Sequence, residues 1–202
     1  MAYGMLIDQK KCVGCQGCDV SCKAANGTPP GVFRSNVIRT NIGVYPDVER
    51  VITPMVCMQC AEPACVEACP VDATKKLDNG IITIDKTACI GCQSCIVACP
   101  YDARYYCDLS QGYFESGLTV YEEVAYTKMV DATVAKCDFC LSLAADGEDP
   151  QPACVAACVA EARIFGELDA IKSLASQEGA EPLKPEEGTV PSVFYRPNVR
   201  YL

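Results

Sequence analysis

Sixteen of the 17 cysteines in this 202-residue chain fall into four groups of four, and their spacing constrains the fold more than any other feature. The groups are Cys12-x2-Cys15-x2-Cys18-x3-Cys22, Cys57-x2-Cys60-x4-Cys65-x3-Cys69, Cys89-x2-Cys92-x2-Cys95-x3-Cys99 and Cys137-x2-Cys140-x13-Cys154-x3-Cys158. Every group closes with the same Cys-x3-Cys step, and Cys107 alone stands outside. The repeat runs past the cysteines. Cys69-Pro70-Val71-Asp72-Ala73 matches Cys99-Pro100-Tyr101-Asp102-Ala103, and Cys158-Val159-Ala160-Glu161-Ala162 is a weaker third copy. One small unit has been duplicated and has diverged.

Composition says what the cysteines are for. Half of the chain is hydrophobic, but that count includes the cysteines, and there are only 5 Phe and no Trp. A core so thin in large side chains needs staples, either disulfides or metal centres. The opening Met1–Asp8 has no basic region followed by a long apolar stretch, so it does not read as a signal peptide. A leaderless chain is expected to begin in a reducing cytosol, where disulfide frameworks are disfavoured. The odd cysteine number points the same way, towards metal. No run approaches the roughly 18–20 apolar residues of a membrane span. Histidine is absent, which excludes histidine-ligated haem, Rieske centres and Cys/His zinc fingers. It also removes the commonest general base. The formal charge of −9 argues against nucleic-acid binding, which needs a basic footprint.

A [4Fe–4S] cubane requires four thiolates converging from different directions. Cys-x2-Cys-x2-Cys wraps three around one cluster in a tight loop and turns backbone N–H groups towards the sulfides. Gly14, Gly17 and Gly91 supply permissive backbone for that loop. The fourth cysteine lies on the following helical turn and points away; in two-cluster ferredoxins it ligates the other cluster. Pro70 and Pro100 then turn the chain out of the helix. Groups two and three, separated by a short hairpin, are expected to pair. Cys57, Cys60, Cys65 and Cys99 would hold one cluster; Cys89, Cys92, Cys95 and Cys69 would hold its neighbour. Groups one and four then pair across the chain. Cys12, Cys15, Cys18 and Cys158 would hold a third cluster; Cys137, Cys140, Cys154 and Cys22 would hold the fourth. Group four by itself also fits a zinc ribbon, since paired Cys-x-x-Cys knuckles bind zinc. Cys107 reads as a free buried thiol. Lys11, Lys86 and Lys136, just ahead of cluster groups, read as solvated lysines on a negative protein. The tyrosines at 101, 105, 106, 113, 121 and 126 fit a partner-facing surface or ordinary packing equally well.

The elements are short and the class is α+β: two bacterial-ferredoxin-like modules, with an insert and an extended C-terminal arm. Tyr3–Ile7 reads as a strand, and Asp19–Ala25 as a helix stopped by Asn26-Gly27. Asp78-Asn79-Gly80 reads as a hairpin turn before the strand Ile81–Ile84. Ala64–Ala68, Ile96–Ala98 and Pro152–Ala157 are each about one helical turn. Residues 1–50 are the first half of a split module, 51–107 a central module, 108–132 an irregular insert, 133–170 the second half of the split module, and 171–202 the arm.

Four such groups in this order resemble a known family: the four-cluster iron–sulfur (beta) subunits of the dimethyl sulfoxide reductase superfamily of molybdenum and tungsten enzymes. The resemblance is carried by the sixteen cysteines, Met5–Cys15, Cys99–Ala103, Lys136–Cys140, Pro152–Cys154 and Phe165–Leu168. It implies a large molybdopterin-containing catalytic subunit as partner. It also implies a wire of four clusters leading to a membrane quinol-binding subunit or a soluble donor. The length is similar to that of the small subunits of arsenate and polysulfide reductases, transhydroxylases and dehydroxylases. Members commonly lack a signal and are exported folded with the catalytic subunit, which implies the outer, periplasmic face; a cytoplasmic complex is the alternative. An electron-transfer subunit of a hydrogenase or formate dehydrogenase, and a zinc-stabilised scaffold, remain competing readings. In every reading but the last the chain carries electrons and has no catalytic residues of its own. Analysis of the purified protein should find iron and acid-labile sulfide near ~16 atoms each; a colourless protein containing zinc would sink the cluster reading.

Overall fold

The computed structural model describes residues 1–198. In chain order the elements are β1 (Tyr3–Asp8), α1 (Gly17–Asn26), β2 (Ser35–Val44), β3 (Asp47–Val56), α2 (Ala64–Glu67), β4 (Thr74–Lys76), β5 (Ile82–Ile84), α3 (Ser94–Val97), β6 (Arg104–Tyr106), α4 (Val120–Tyr126), β7 (Val134–Lys136), α5 (Ala153–Ala156), β8 (Arg163–Glu167), α6 (Leu168–Glu178), β9 (Glu181–Pro182) and β10 (Val193–Arg196). The content is mixed helix and strand in small sheets. The largest has four strands in the order β8-β1-β10-β9, and three two-stranded antiparallel sheets complete the set among the described residues.

β1 is the spine. Met5, Leu6 and Ile7 are all buried, so both faces of the strand are covered. Alternation sends Leu6 to one side, against Ile171 and Ala175 of α6. Met5 and Ile7 point to the other, into a core with Phe139, Val193, Tyr195 and cysteines of groups one, two and four. β8 runs antiparallel to β1 and β10 runs parallel to it, with Met5 opposite both Phe165 and Val193. Strands from the two ends of the chain therefore pair with one another at the centre of one sheet.

The final segment departs from the arm expected after about Ile171. Residues 168–178 form α6, and β9 and β10 belong to the main sheet. The physical reason is the unpaired edge of β1. Val193 and Tyr195 are apolar on the face that meets the core, and the strand satisfies backbone groups that β1 would otherwise leave buried. Residues 199–202 of the expected arm lie outside the described residues. The segment at 108–132 is likewise not irregular throughout. Thr119 and Glu122 form a capping box that starts α4, with the Glu122 side chain also accepting from the Tyr113 amide. The long hairpin β2–β3, ten residues per strand, adds to the expected elements; only its base, at Ser35, Val37, Pro54 and Val56, is buried.

α4 docks on the end of α1 at Gly27, the left-handed C-cap of that helix. A Cβ there would sit 2.0 Å from the Ala125 carbonyl oxygen, and φ is +62°. Lys128 donates to the Ala25 carbonyl, and Lys23 donates to Val32 and stands over the Phe33 ring. We expect Gly27→Val to destabilise the protein by at least about 2 kcal/mol, from left-handed strain and overpacking. Gly166→Ala, where a Cβ meets nothing within 4 Å, is the control. Thermal loss of visible absorbance would read both, and equal melting of the two variants would refute the account.

Candidate metal centres

One backbone device recurs in all four cysteine groups. The residue immediately before the second cysteine has positive φ: Gly14 at 69°, Gln59 at 47°, Gly91 at 66° and Phe139 at 54°. A left-handed residue here curls the loop so that successive N–H groups point inward, a concavity suited to anionic sulfur. Glycine does this without strain at two sites. At the other two, Gln59 and Phe139 adopt it under tertiary pressure: Gln59 is buried between the Cys137 carbonyl and the Ile82 amide, and Phe139 packs edge-on against Phe165. Group four thus shares the loop of the other three despite its long x13 gap. A second device follows the fourth cysteine. Asp72, Asp102 and Glu161 have φ of 49°, 52° and 48°. That turn lets the Ala73 amide donate to Cys69 Sγ and the Ala162 amide to Cys158 Sγ, both at 3.2 Å.

The fold sorts the sixteen sulfurs into four quartets that cross the sequence groups. Cys12, Cys15, Cys18 and Cys158 line one space (quartet I). Cys22, Cys137, Cys140 and Cys154 are mutual neighbours and all buried (quartet II). Cys57, Cys60, Cys65 and Cys99 surround another point (quartet III). Cys69, Cys89, Cys92 and Cys95 line the last space (quartet IV). Packing of α1 on α5 brings I beside II, and packing of α2 on α3 brings III beside IV. Gln59 stitches the two halves together through Cys137 and Ile82. Among the described residues no three cysteine, aspartate or glutamate side chains meet tightly enough for a single ion; the quartets enclose spaces.

The electrostatics suit a cationic iron core. Burial first, then the Cys154 and Cys140 sulfurs, pushes Cys22 up to about 12. Cys60 is pushed up to about 12 by burial and Cys18 to about 11 for the same reason, and the fully buried Cys137 is raised well above the usual thiol range. Clustered thiols in a dry interior resist ionisation because each thiolate would repel the next. Metal that displaces the protons supplies the missing positive charge, so binding releases protons and stabilises the fold together. Protein donors already lean on the sulfurs. Arg104 Nη2 donates to Cys65 Sγ at 2.8 Å and Arg163 Nη2 to Cys18 Sγ at 3.3 Å. Asn26 Nδ2 lies 3.6 Å from Cys22 Sγ and 4.0 Å from Cys140 Sγ. Arg34, in turn, ties Asn26 Oδ1 to the carboxylate of Asp138. The donor set therefore fits polynuclear iron–sulfur centres on thiolate.

Several of these residues carry little signal in the sequence. Arg104 and Arg163 occupy the same place, one residue beyond the Cys-x3-Ala repeat, and carrying the repeat one position further finds them. Asn26 and Arg34 leave no such signal. Lys136 corrects an expectation: it is buried, donating to the carbonyls of Ile82 and Cys137 rather than to water. Lys86 is half-buried and donates to the Val134 carbonyl, whereas Lys11 is exposed. Cys107 is wholly buried with Val32, Met129 and Ala135. The tyrosines divide, with Tyr101 and Tyr126 packed inside and Tyr113 and Tyr121 exposed.

Residues 48–116 match the 4Fe-4S dicluster domain family. Similarity to whole proteins covers far more. The chain is 38% identical over 201 residues to a tetrathionate reductase subunit of Salmonella typhimurium, spanning 96% of this chain and 71% of the relative. It is 39% identical over 208 residues to a selenate reductase subunit of Mesobacillus selenatarsenatis, spanning 95% and 70%. It is 35% identical over 226 residues to the arsenate respiratory reductase iron-sulfur subunit of Shewanella sp. strain ANA-3, spanning 96% of each. With cysteine loops of one backbone design throughout, this chain belongs to the four-cluster [4Fe–4S] electron-transfer beta subunits of the dimethyl sulfoxide reductase superfamily.

Proposed function

We propose that the sixteen grouped cysteines hold the clusters as the four quartets, in two ferredoxin-like modules with exchanged fourth ligands. Cys12, Cys15, Cys18 and Cys158 bind one; Cys22, Cys137, Cys140 and Cys154 its module partner; Cys57, Cys60, Cys65 and Cys99 the third; and Cys69, Cys89, Cys92 and Cys95 the fourth. Residues 51–107 form the central module, and residues 1–50 with 133–170 the split one. The observation that carries the reading is the common left-handed turn before the second cysteine of every group, with the Cys-x3-Cys step that sends each fourth sulfur to a neighbouring quartet. When bound, the clusters supply one-electron transfer without proton chemistry at the chain's own side chains.

Exposure gives the wire a direction in space. Cys15 of quartet I and Cys92 of quartet IV are exposed, while all of quartet II and three cysteines of quartet III are buried. Electrons therefore enter and leave at quartets I and IV and cross the interior through II and III. Each exit has an apolar collar. Val13 and Val159 are 67% and 86% exposed beside quartet I; Ile90 and Val97 are 64% and 88% exposed beside quartet IV. Exposed apolar residues around a redox exit suit protein docking and exclusion of water from the jump. On this reading one exit faces a molybdopterin-containing catalytic subunit, of the arsenate, polysulfide, tetrathionate or selenate reductase kind. The other faces a quinol-binding membrane subunit or a soluble donor. No described helix is long and apolar enough to cross a membrane.

Two measurements test this. Cys99→Ala should abolish the same electron paramagnetic resonance signal as Cys57→Ala, and Cys69→Ala the same signal as Cys89→Ala. If Cys99→Ala instead removed the signal lost in Cys89→Ala, the exchange of fourth ligands would be wrong. The large subunit that co-purifies with the chain should contain molybdenum or tungsten bound to a pterin; a hydrogenase subunit in its place would overturn the partner assignment.

A further inference from the structure

Each module contains one buried arginine at the same point of the repeat. Arg104 lies five residues after Cys99 and opens β6; Arg163 lies five residues after Cys158 and opens β8. Both are 3% exposed. The matching positions after Cys69 and Cys22 are Thr74 and Gly27, so only one of the two repeat positions in each module carries an arginine. Thr74 accepts from Arg104 Nη1 at 3.3 Å, as Ser35 accepts from Arg163 Nη2 at 3.1 Å.

Arg104 donates to Cys65 and also engages Cys95, the third cysteines of groups two and three. Arg163 donates to Cys18 and also engages Cys154, the third cysteines of groups one and four. Neither has a carboxylate within ion-pair distance among the described residues. Arg104 Nε and Arg163 Nη1 are buried and have no hydrogen-bond partner among the described residues. A buried permanent cation is costly unless anions surround it; sulfur is the foremost anion within reach of both, and the Asp19 carboxylate adds to it at Arg163.

We propose that Arg104 and Arg163 are intercluster cations, each donating to a sulfur ligand of one cluster in its module and facing a ligand of the other, and raising the reduction potential of both. The proposal rests on the ligand assignment above, in which Cys65 and Cys95 serve different clusters, as do Cys18 and Cys154. Reduction adds one electron to a centre that its thiolates already make negative, so a neighbouring positive charge favours the reduced form. The guanidinium keeps its proton throughout, and no bond is made or broken. Because one cation serves two clusters, it lifts them together and leaves the step between them nearly level. Arg104 and Arg163 are thus positioning residues for the wire.

The test is a potentiometric titration, followed by electron paramagnetic resonance, of the intact complex carrying R104Q, R104K or R163Q, with iron and sulfide content measured in each. We expect R104Q to keep its iron and to lower the potentials of the quartet III and IV clusters. The reduced fraction at fixed potential should fall about tenfold, a shift of about 59 mV for a one-electron couple. R163Q should shift only the other two, and R104K, which keeps the charge, should shift less than R104Q. Unchanged potentials in R104Q, or a shift confined to one cluster, would overturn the proposal. So would loss of iron in both R104Q and R104K, which would make the side chain a structural support. The signals removed by Cys57→Ala and Cys89→Ala in the Arg104 background identify the two clusters independently, so an error in ligand assignment appears there and not in R104Q.

Discussion

Negative sulfur gathered in a dry interior is the constraint that organises this protein. Sixteen thiolates cannot be buried as bare charges, and as thiols they contribute only small, soft packing surface. Iron cores neutralise them in part, and the chain supplies the rest of the field. Left-handed turns aim backbone amides at the loops, the amides of Ala73 and Ala162 reach the fourth cysteines of their groups, and two guanidinium groups lie between quartets. The short helices α2, α3 and α5 are single turns that would not persist alone. They persist because each carries a third cysteine and presents the next one to the neighbouring quartet.

The main sheet solves a different problem. Cysteine groups one and four lie more than a hundred residues apart in the chain, and something has to hold them in register. β1 enters group one, β8 leaves group four, and the two pair directly. Leu6 on β1 and Ile171 on α6 close the outer side, while Met5, Ile7 and Phe139 close the inner side against the cysteines. Groups two and three need no such clamp, since the β4–β5 hairpin already joins them. Gln59 then bonds the group two loop to the Cys137 carbonyl of group four, which gives the two interior quartets a rigid spacing. A rigid spacing matters for a chain whose role is to pass electrons in sequence.

Much of this was legible in the residue order. The four groups, the β1 strand, the Asn79-Gly80 hairpin and the single-turn helices follow from spacing and turn chemistry, because those signals are local. Weaker local signals also exist for two elements that the cysteine pattern does not reveal. Val37-Ile38-Arg39-Thr40 and Val48–Thr53 are β-branched runs on either side of Tyr45-Pro46-Asp47, and Thr119 with Glu122 marks a helix start. Group four was ambiguous between iron–sulfur and zinc because an x13 gap says nothing about the shape of its loop. The positive φ of Phe139 supplies that shape, and it comes from packing against Phe165, a contact no spacing reveals.

The donor atoms, their number and the absence of histidine acid–base machinery are legible in residue order, since cysteine spacing and a missing histidine are properties of the chain alone. Which sulfurs meet, which are reachable from solvent and which cations face them depend on how the chain packs. Lys136 reads as an ordinary surface charge in a string of letters, Arg104 and Arg163 show only a shared place in the repeat, and burial makes all three part of the site. The course of residues 171–198 was decided there too. Their pattern of Gly, Pro and Glu allows an extended arm, but β1 has an open edge, and pairing it with β10 satisfies buried backbone groups that nothing local can reach.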